Sequence, residues 1–205
     1  MLPCSPQGPY ASISYGMRHK YETHGIVLSR SPVGEASSFV TVLTPELGLV
    51  RALAQGVRRQ GAKLAPALAT YAESALVLVR GKDGWRLAGA VLQVNWFARI
   101  EHMRAREAAA RVSGLLLRLV AGEAREAEIF PIMNGFFSAL ATLPHDDYAS
   151  LEVLAALRIL AALGLDAGEL PGVASDFSPA ILADVKKGRA GYIARINHGI
   201  EASGL

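Results

Sequence analysis

The stretch "LVRALAQGVRRQGAK", Leu49 to Lys63, holds Arg51, Arg58, Arg59 and Lys63 within fifteen residues and contains no Asp or Glu. Cations without a carboxylate nearby in sequence invite an external counter-charge, and the commonest polymeric source of one is a phosphate backbone. A second group, Arg80, Lys82 and Arg86, surrounds "GKDG" and would extend the cationic edge. The plain alternative for both groups is a solvated loop that keeps the protein dispersed.

Other residue types offer less chemistry. His19, His24, His102, His145 and His198 include no helical pair at i, i+4. "PHDD" at residues 144–147 could gather a divalent cation, but the simpler reading is that Asp146 or Asp147 caps the following helix. The sequence has no G-x-S-x-G, no G-x-x-x-x-G-K-[ST] and no H-E-x-x-H. Cys4 is the sole cysteine, which precludes an internal disulfide and a cysteine-based zinc site. No catalytic or metal-binding residue is assigned, and enzymatic turnover is not expected. Arg104, Arg111 and Arg118 recur every seven residues on one helix face. They form either a phosphate-tracking stripe or a solvated face in which Glu107 bridges Arg104 and Arg111, and the interleaved acids favour the second.

The charge is unevenly spread. Residues 1–99 carry 11 Lys+Arg against 5 Asp+Glu, whereas residues 100–205 carry 10 against 13. A basic front half joined to an acidic rear half suggests two units, the first meeting a polyanion. A 51% apolar content suits a folded chain of 205 residues. Glu152 and Arg158 interrupt "LEVLAALRILAALG", the best candidate for a membrane span. With no signal-peptide pattern, a reduced, cytoplasmic setting is expected. Residues 1–16 are uncharged and carry Pro3, Pro6 and Pro9. They are expected to be a disordered leader or a non-native extension, with the folded part opening near Met17.

The elements that must position the cations follow from two periods. Between His24 and Val94, "HGIVLSRS", "SSFVTVLT", "LVRALAQGV", "YAESALVLVR" and "WRLAGAVLQV" read as five strands separated by turn residues. Asp83-Gly84 reads as a hairpin turn and "PELG" as another tight turn. Short, largely apolar strands with no long helix among them suit a small closed barrel, since closure removes exposed edges. Leu49, Arg51 and Leu53 share one parity on the third strand, so the alternation does not settle which side chains point inward. Tyr71, Trp85 and Phe39 supply the rings; Trp85 beside Arg86 is either a stacking platform or a core residue. So few platforms predict backbone-driven, sequence-independent binding.

After Phe97 the period becomes helical. One stripe is Val112, Leu115, Leu116 and Leu119, and another runs from Ile129 to Leu140. A third helix is expected from about Tyr148 to Leu163. Ser178-Pro179 opens a fourth that Gly188 closes, and Tyr192, Ile193, Ile196 and Ile200 mark the last. The fold class is therefore α+β: a five-stranded barrel in residues 17–97 followed by an all-α bundle in residues 98–205.

From Glu22 onward the order "GIVL", "GEA", "T.ELGL", "ALAQGVRR" and "L.P....E..L" resembles the N-terminal domain of the bacterial RecO recombination and repair proteins. "LEVLAALRILAALGL" and "INHGIEASGL" resemble the family's helical half. The resemblance implies an OB-fold joined to a helical domain. It also implies binding of single- and double-stranded DNA, annealing of complementary strands, and work with RecR to help RecA replace single-strand-binding protein, in the cytoplasm and at the nucleoid. The family's basic loop after strand three matches Arg58, Arg59 and Lys63, and the strand entering it matches Arg51. Many relatives insert a four-cysteine zinc module in the helical half. This chain instead runs "DAGELPGVASDFSPAIL" after Leu165, so zinc and other cofactors are not expected. An acidic, hydrophobic tail of single-strand-binding protein would need an apolar groove with a basic rim, to which Arg104, Arg111 or Arg118 could contribute. The residues themselves leave two alternatives open, an RNA-binding module and a protein-interaction scaffold.

Overall fold

A computed structural model describes residues 19–120, 122 and 126–204; the expected leader lies outside them. Five strands form first: β1 (Lys20–Val33), β2 (Ser37–Thr44), β3 (Gly48–Ala54), β4 (Ala72–Gly81) and β5 (Gly84–Asn95). They close into a barrel in the order β1-β2-β3-β5-β4. All neighbours are antiparallel except β3 and β5, which run parallel and pair only through Ala52↔Trp85 and Leu53↔Arg86. This is the five-stranded OB-fold barrel that the sequence led us to expect.

Closure places two different surfaces on alternating residues. Val27, Val40, Val42, Val50, Ala52, Leu76, Leu78 and Trp85 fill the interior. Ile26, Leu28, Leu43 and Leu49 belong to a second apolar cluster shared with the helices. The outward parity of β3 is thereby explained: Leu49 is buried under the helical layer, Arg51 is exposed, and Leu53 is half-buried. Gly25 is required where β1 crosses β2, because a Cβ there would meet Val42 Cγ1 at 2.6 Å and the Leu43 carbonyl at 2.7 Å.

One of the two expected turns differs in detail from the sequence reading. The β4–β5 hairpin turns on Lys82-Asp83, with Gly81 opposite Gly84; Gly84 opens β5 with φ +109°. Asp83 has a negative φ, so the mirror-image turn expected of Asp-Gly does not form. The β2–β3 turn follows expectation, with Gly48 at φ +67°. There the Thr44 hydroxyl accepts from Leu47 N–H at 3.1 Å and donates to the Gly48 carbonyl at 3.0 Å.

The helices are α1 (Trp96–Arg99), α2 (Met103–Leu119), α3 (Ile129–Thr142), α4 (Tyr148–Ala162), α5 (Pro179–Lys187) and α6 (Arg189–Ala202). Residue 97, expected as the end of the barrel unit, falls inside α1. Helix α4 is the central one: it packs on α2, α3, α5 and α6. Asp147 stands at its N-cap position with helical backbone angles and no capping hydrogen bond; Asp146 instead lies 3.0 Å from His145. At α5 the expected Ser178-Pro179 start holds, but Ser178 makes no capping bond, and Asp176 accepts from its N–H at 2.9 Å. Among the described residues no helix is long and apolar enough to cross a membrane.

Two buried polar groups tie the layers together. The Glu73 carboxylate on β4 accepts from Trp96 Nε1 at 2.9 Å and from Asn134 Nδ2 of α3 at 3.4 Å. Arg158, 1% exposed, is the largest fully buried side chain. It donates to the Pro171 carbonyl at 2.6 Å and the Ala174 carbonyl at 3.0 Å, and its guanidinium lies 4.7 Å from the Phe177 ring centre. Burial pushes its pKa below the usual arginine value, against the opposing pull of Asp176. The stretch after Leu165 is thus pinned to α4 by one buried cation.

Candidate nucleic-acid interface

The outward face of the barrel that carries the basic strand residue is that of β2 and β3, on which Arg51 is exposed. Thr41 pairs with Arg51 and Phe39 with Leu53, so Phe39 and Arg51 are diagonal neighbours on that face. The Arg51 guanidinium carbon stands 4.1 Å from the Phe39 ring centre. A cation held on a ring face keeps its N–H edge outward at little entropic cost, which is the geometry a phosphate contact needs.

Two loops flank this face. The chain after β3 winds through turns in which Arg59 N–H donates to Gly56 O and Ala62 N–H to Arg59 O, both at 3.1 Å. It is fastened to the β1–β2 turn. Arg58 Nη1 donates to the Gly34 carbonyl at 3.0 Å, and Arg58 N–H donates to the Ala36 carbonyl at 2.9 Å. Arg58, Arg59 and Lys63 are exposed, and among the described residues none lies within 4.0 Å of a carboxylate. Arg51 sits three residues, or about 10 Å, before the strand end from which this loop springs.

The second group surrounds the β4–β5 hairpin. Lys82 is exposed at its tip. Arg86 approaches Asp83 at 4.0 Å with both side chains at least half exposed, an attraction that solvent largely screens. Arg80 faces Trp85 across the hairpin, its guanidinium carbon 4.9 Å from the ring centre. Trp85 is 8% exposed and belongs to the barrel interior. Its platform role beside Arg86 is replaced by a core role beneath Arg80. Arg51, Arg80, Thr41, Trp85 and Leu117 line a cleft of about 340 Å³, so one cation from each group shares it.

Sequence reading missed Tyr21, because β1 begins four residues earlier than expected. Its ring meets Trp85 edge-on at 5.1 Å and is partly exposed. The α2 arginines divide. Arg111 grips Glu152 of α4 through Nε at 2.6 Å and Nη2 at 2.8 Å, with Glu107 at 3.9 Å. Its pKa is raised, chiefly by the Glu152 hydrogen bond. Arg104 and Arg118 remain exposed.

The family model described as "Recombination protein O N terminal" matches residues 17–92. Three curated relatives share the description "DNA repair protein RecO". The Trichodesmium erythraeum protein is 27% identical over 63% of this chain and 45% of its own length. The Gloeobacter violaceus protein is 29% identical over 71% of this chain and 56% of its own. The Roseiflexus protein is 34% identical over 58% and 42%. The chain spans about half the length of the curated relatives it matches.

Proposed function

For a chain whose residues 17–92 match the model of the RecO N-terminal domain, we propose a role in DNA repair and homologous recombination, exercised by binding the phosphate backbone of single- and double-stranded DNA. The observation that carries this reading is the β2–β3 face. Arg51, braced on Phe39, lies between an uncompensated loop bearing Arg58, Arg59 and Lys63 and a hairpin bearing Arg80, Lys82 and Arg86. OB-folds engage nucleic acids with this strand face and the loops beside it. The barrel, residues 17–97, is the binding unit in this reading, and residues 98–205 form the helical unit.

The mechanism is electrostatic. Each Lys or Arg that reaches a phosphate releases a condensed counterion, so log affinity falls with log salt at a slope of about −0.7 per contact on single strands. With few exposed rings, bases are not discriminated. Neutralising two strands lowers their mutual repulsion and promotes annealing. In the same reading the chain cooperates with RecR, contacts the C-terminal tail of single-strand-binding protein, assists RecA and catalyses no reaction. The named relatives are DNA repair proteins, which supports DNA over RNA as the polymer.

The test is anisotropy of a labelled single-stranded DNA with RNA of the same sequence as competitor. DNA bound tightly by the wild type, weakly by Arg58→Glu/Arg59→Glu and not displaced by equimolar RNA is the expected result. Efficient displacement by RNA would favour an RNA module. Equal binding by both proteins would leave the loop as solvated surface and favour a protein-interaction scaffold.

A further inference from the structure

The cleft that Arg51 and Arg80 share has walls that phosphate binding alone does not need. Leu49 of β3, Trp85 of β5, Leu117 of α2 and the α2 C-cap residue Val120 line it with apolar surface, and Thr41 of β2 completes the lining. Barrel and helical layer therefore build it together. In the last turn of α2, Leu116 is fully buried, whereas Leu117, about 100° further round the helix, is half-buried and left for the cleft.

Two polar side chains in the lining have hydrogen-bonding capacity to spare. Among the described residues the Thr41 hydroxyl and the Arg51 guanidinium form no hydrogen bond, and Arg51 has no carboxylate within 4.0 Å. Arg51 is held over Phe39 instead. Arg80 stays over the Trp85 ring and supplies only a wall. The cleft thus offers an apolar slot, one cation, and one hydroxyl that can donate or accept. A bare phosphate would leave the slot unfilled, and an apolar side chain would leave the cation unmatched. A nucleotide satisfies both, with a base that is apolar on its faces and polar at its edge, and an anionic phosphate. At about 340 Å³ the cleft falls at the lower end of the range of roughly 300–1,000 Å³ that small-ligand sites span, which suits one nucleoside rather than a base pair.

We propose that the cleft receives one unstacked nucleobase of the strand whose phosphates lie on the β2–β3 face. Because Arg51 lines the cleft and also stands on that face, the phosphate it holds belongs to the nucleotide that enters. This inference rests on the nucleic-acid reading of the barrel and deepens it in two ways. Any base fits, since one hydroxyl meets donor and acceptor edges alike, so binding stays independent of sequence. Single strands are favoured over duplexes, because a paired base would have to leave both its partner and its stack before entering.

The test compares a labelled oligothymidylate with a sugar–phosphate chain of the same length and charge that carries no bases, each titrated by anisotropy. Wild-type protein should bind the oligothymidylate about tenfold more tightly, the effect of accommodating one base. Leu117→Trp and Thr41→Phe fill the cleft from the helix and from the barrel. Both should bind the two chains alike, at the wild-type affinity for the base-free chain. Thr41→Phe, on a strand face where an aromatic residue is well tolerated, keeps the test decisive if Leu117→Trp does not fold. Equal binding of the two chains by the wild type overturns the inference alone and leaves the barrel reading standing, as does a tenfold preference retained by a folded variant. Failure of the wild type to bind either chain overturns the barrel reading and this inference together.

Discussion

Arg59 and Arg111 are both exposed arginines in segments that the sequence marks as basic, but they differ in what surrounds them. Arg111 finds Glu152, 41 positions away in sequence, and makes a two-point contact with it. Arg59 sits in a stretch of fifteen residues without a carboxylate, and the fold brings no carboxylate within 4.0 Å among the described residues. The helical layer consumes much of its charge internally: Arg111 on Glu152, Arg195 on Asp166, Arg106 on the Ile100 and Phe97 carbonyls, and Arg158 on two more. The barrel leaves most of its charge outward. Arginine spacing along a helix is therefore weak evidence for a binding surface, whereas a basic loop with no acid in sequence or in space is stronger evidence.

Four perturbations sharpen that contrast, the strongest first. Arg158→Ala should cost about 3 kcal/mol, because it opens a core cavity and strands two carbonyls. Urea unfolding should show this while DNA affinity of the folded protein stays unchanged. Phe39→Ala should weaken single-strand binding about fivefold by removing the brace beneath Arg51, with little effect on stability. Arg111→Ala should cost less than about 1 kcal/mol and leave DNA affinity alone, since an exposed pair contributes little; a large affinity loss would move the interface to α2. The smallest effect concerns pH. Asp166 is held below its ordinary range by Arg195, so its contribution is present above the unfolded carboxylate range and fades as pH falls through the folded value. Acid unfolding of Asp166→Asn and wild type should therefore differ at neutral pH and converge in strong acid.

Most of the architecture was legible because it rests on local signals. Five apolar runs separated by turn residues gave the strands, and the periodic stripes gave the helices. What escaped depended on tertiary context. Period-two alternation could not place Leu49, Arg51 and Leu53, because a helix covers the first and not the second. The hairpin shifted by one residue because Gly81 and Gly84 pair with each other, which leaves Lys82 and Asp83 at the turn. Tyr71, the one non-glycine at positive φ among the described residues, gave no sequence signal. It is held there by hydrogen bonds, its N–H to the Val27 carbonyl at 2.7 Å and its carbonyl from Trp96 N–H at 3.0 Å. Of the candidate site, the loop cations could be read directly. The bracing of Arg51 by Phe39 could not, since it requires the register of β2 on β3.

The measurement closest to the central claim is the salt dependence of affinity for a short single-stranded DNA, compared between wild type, Arg58→Glu/Arg59→Glu and Arg111→Ala. If the barrel loop meets the phosphates, the double variant binds about a hundredfold more weakly at low salt and its log-log slope is shallower by about 1.4, two contacts' worth. Arg111→Ala should match the wild type in both. A wild-type slope in the double variant, or a shallower one in Arg111→Ala, would contradict the account and put the phosphate-binding surface on the helices.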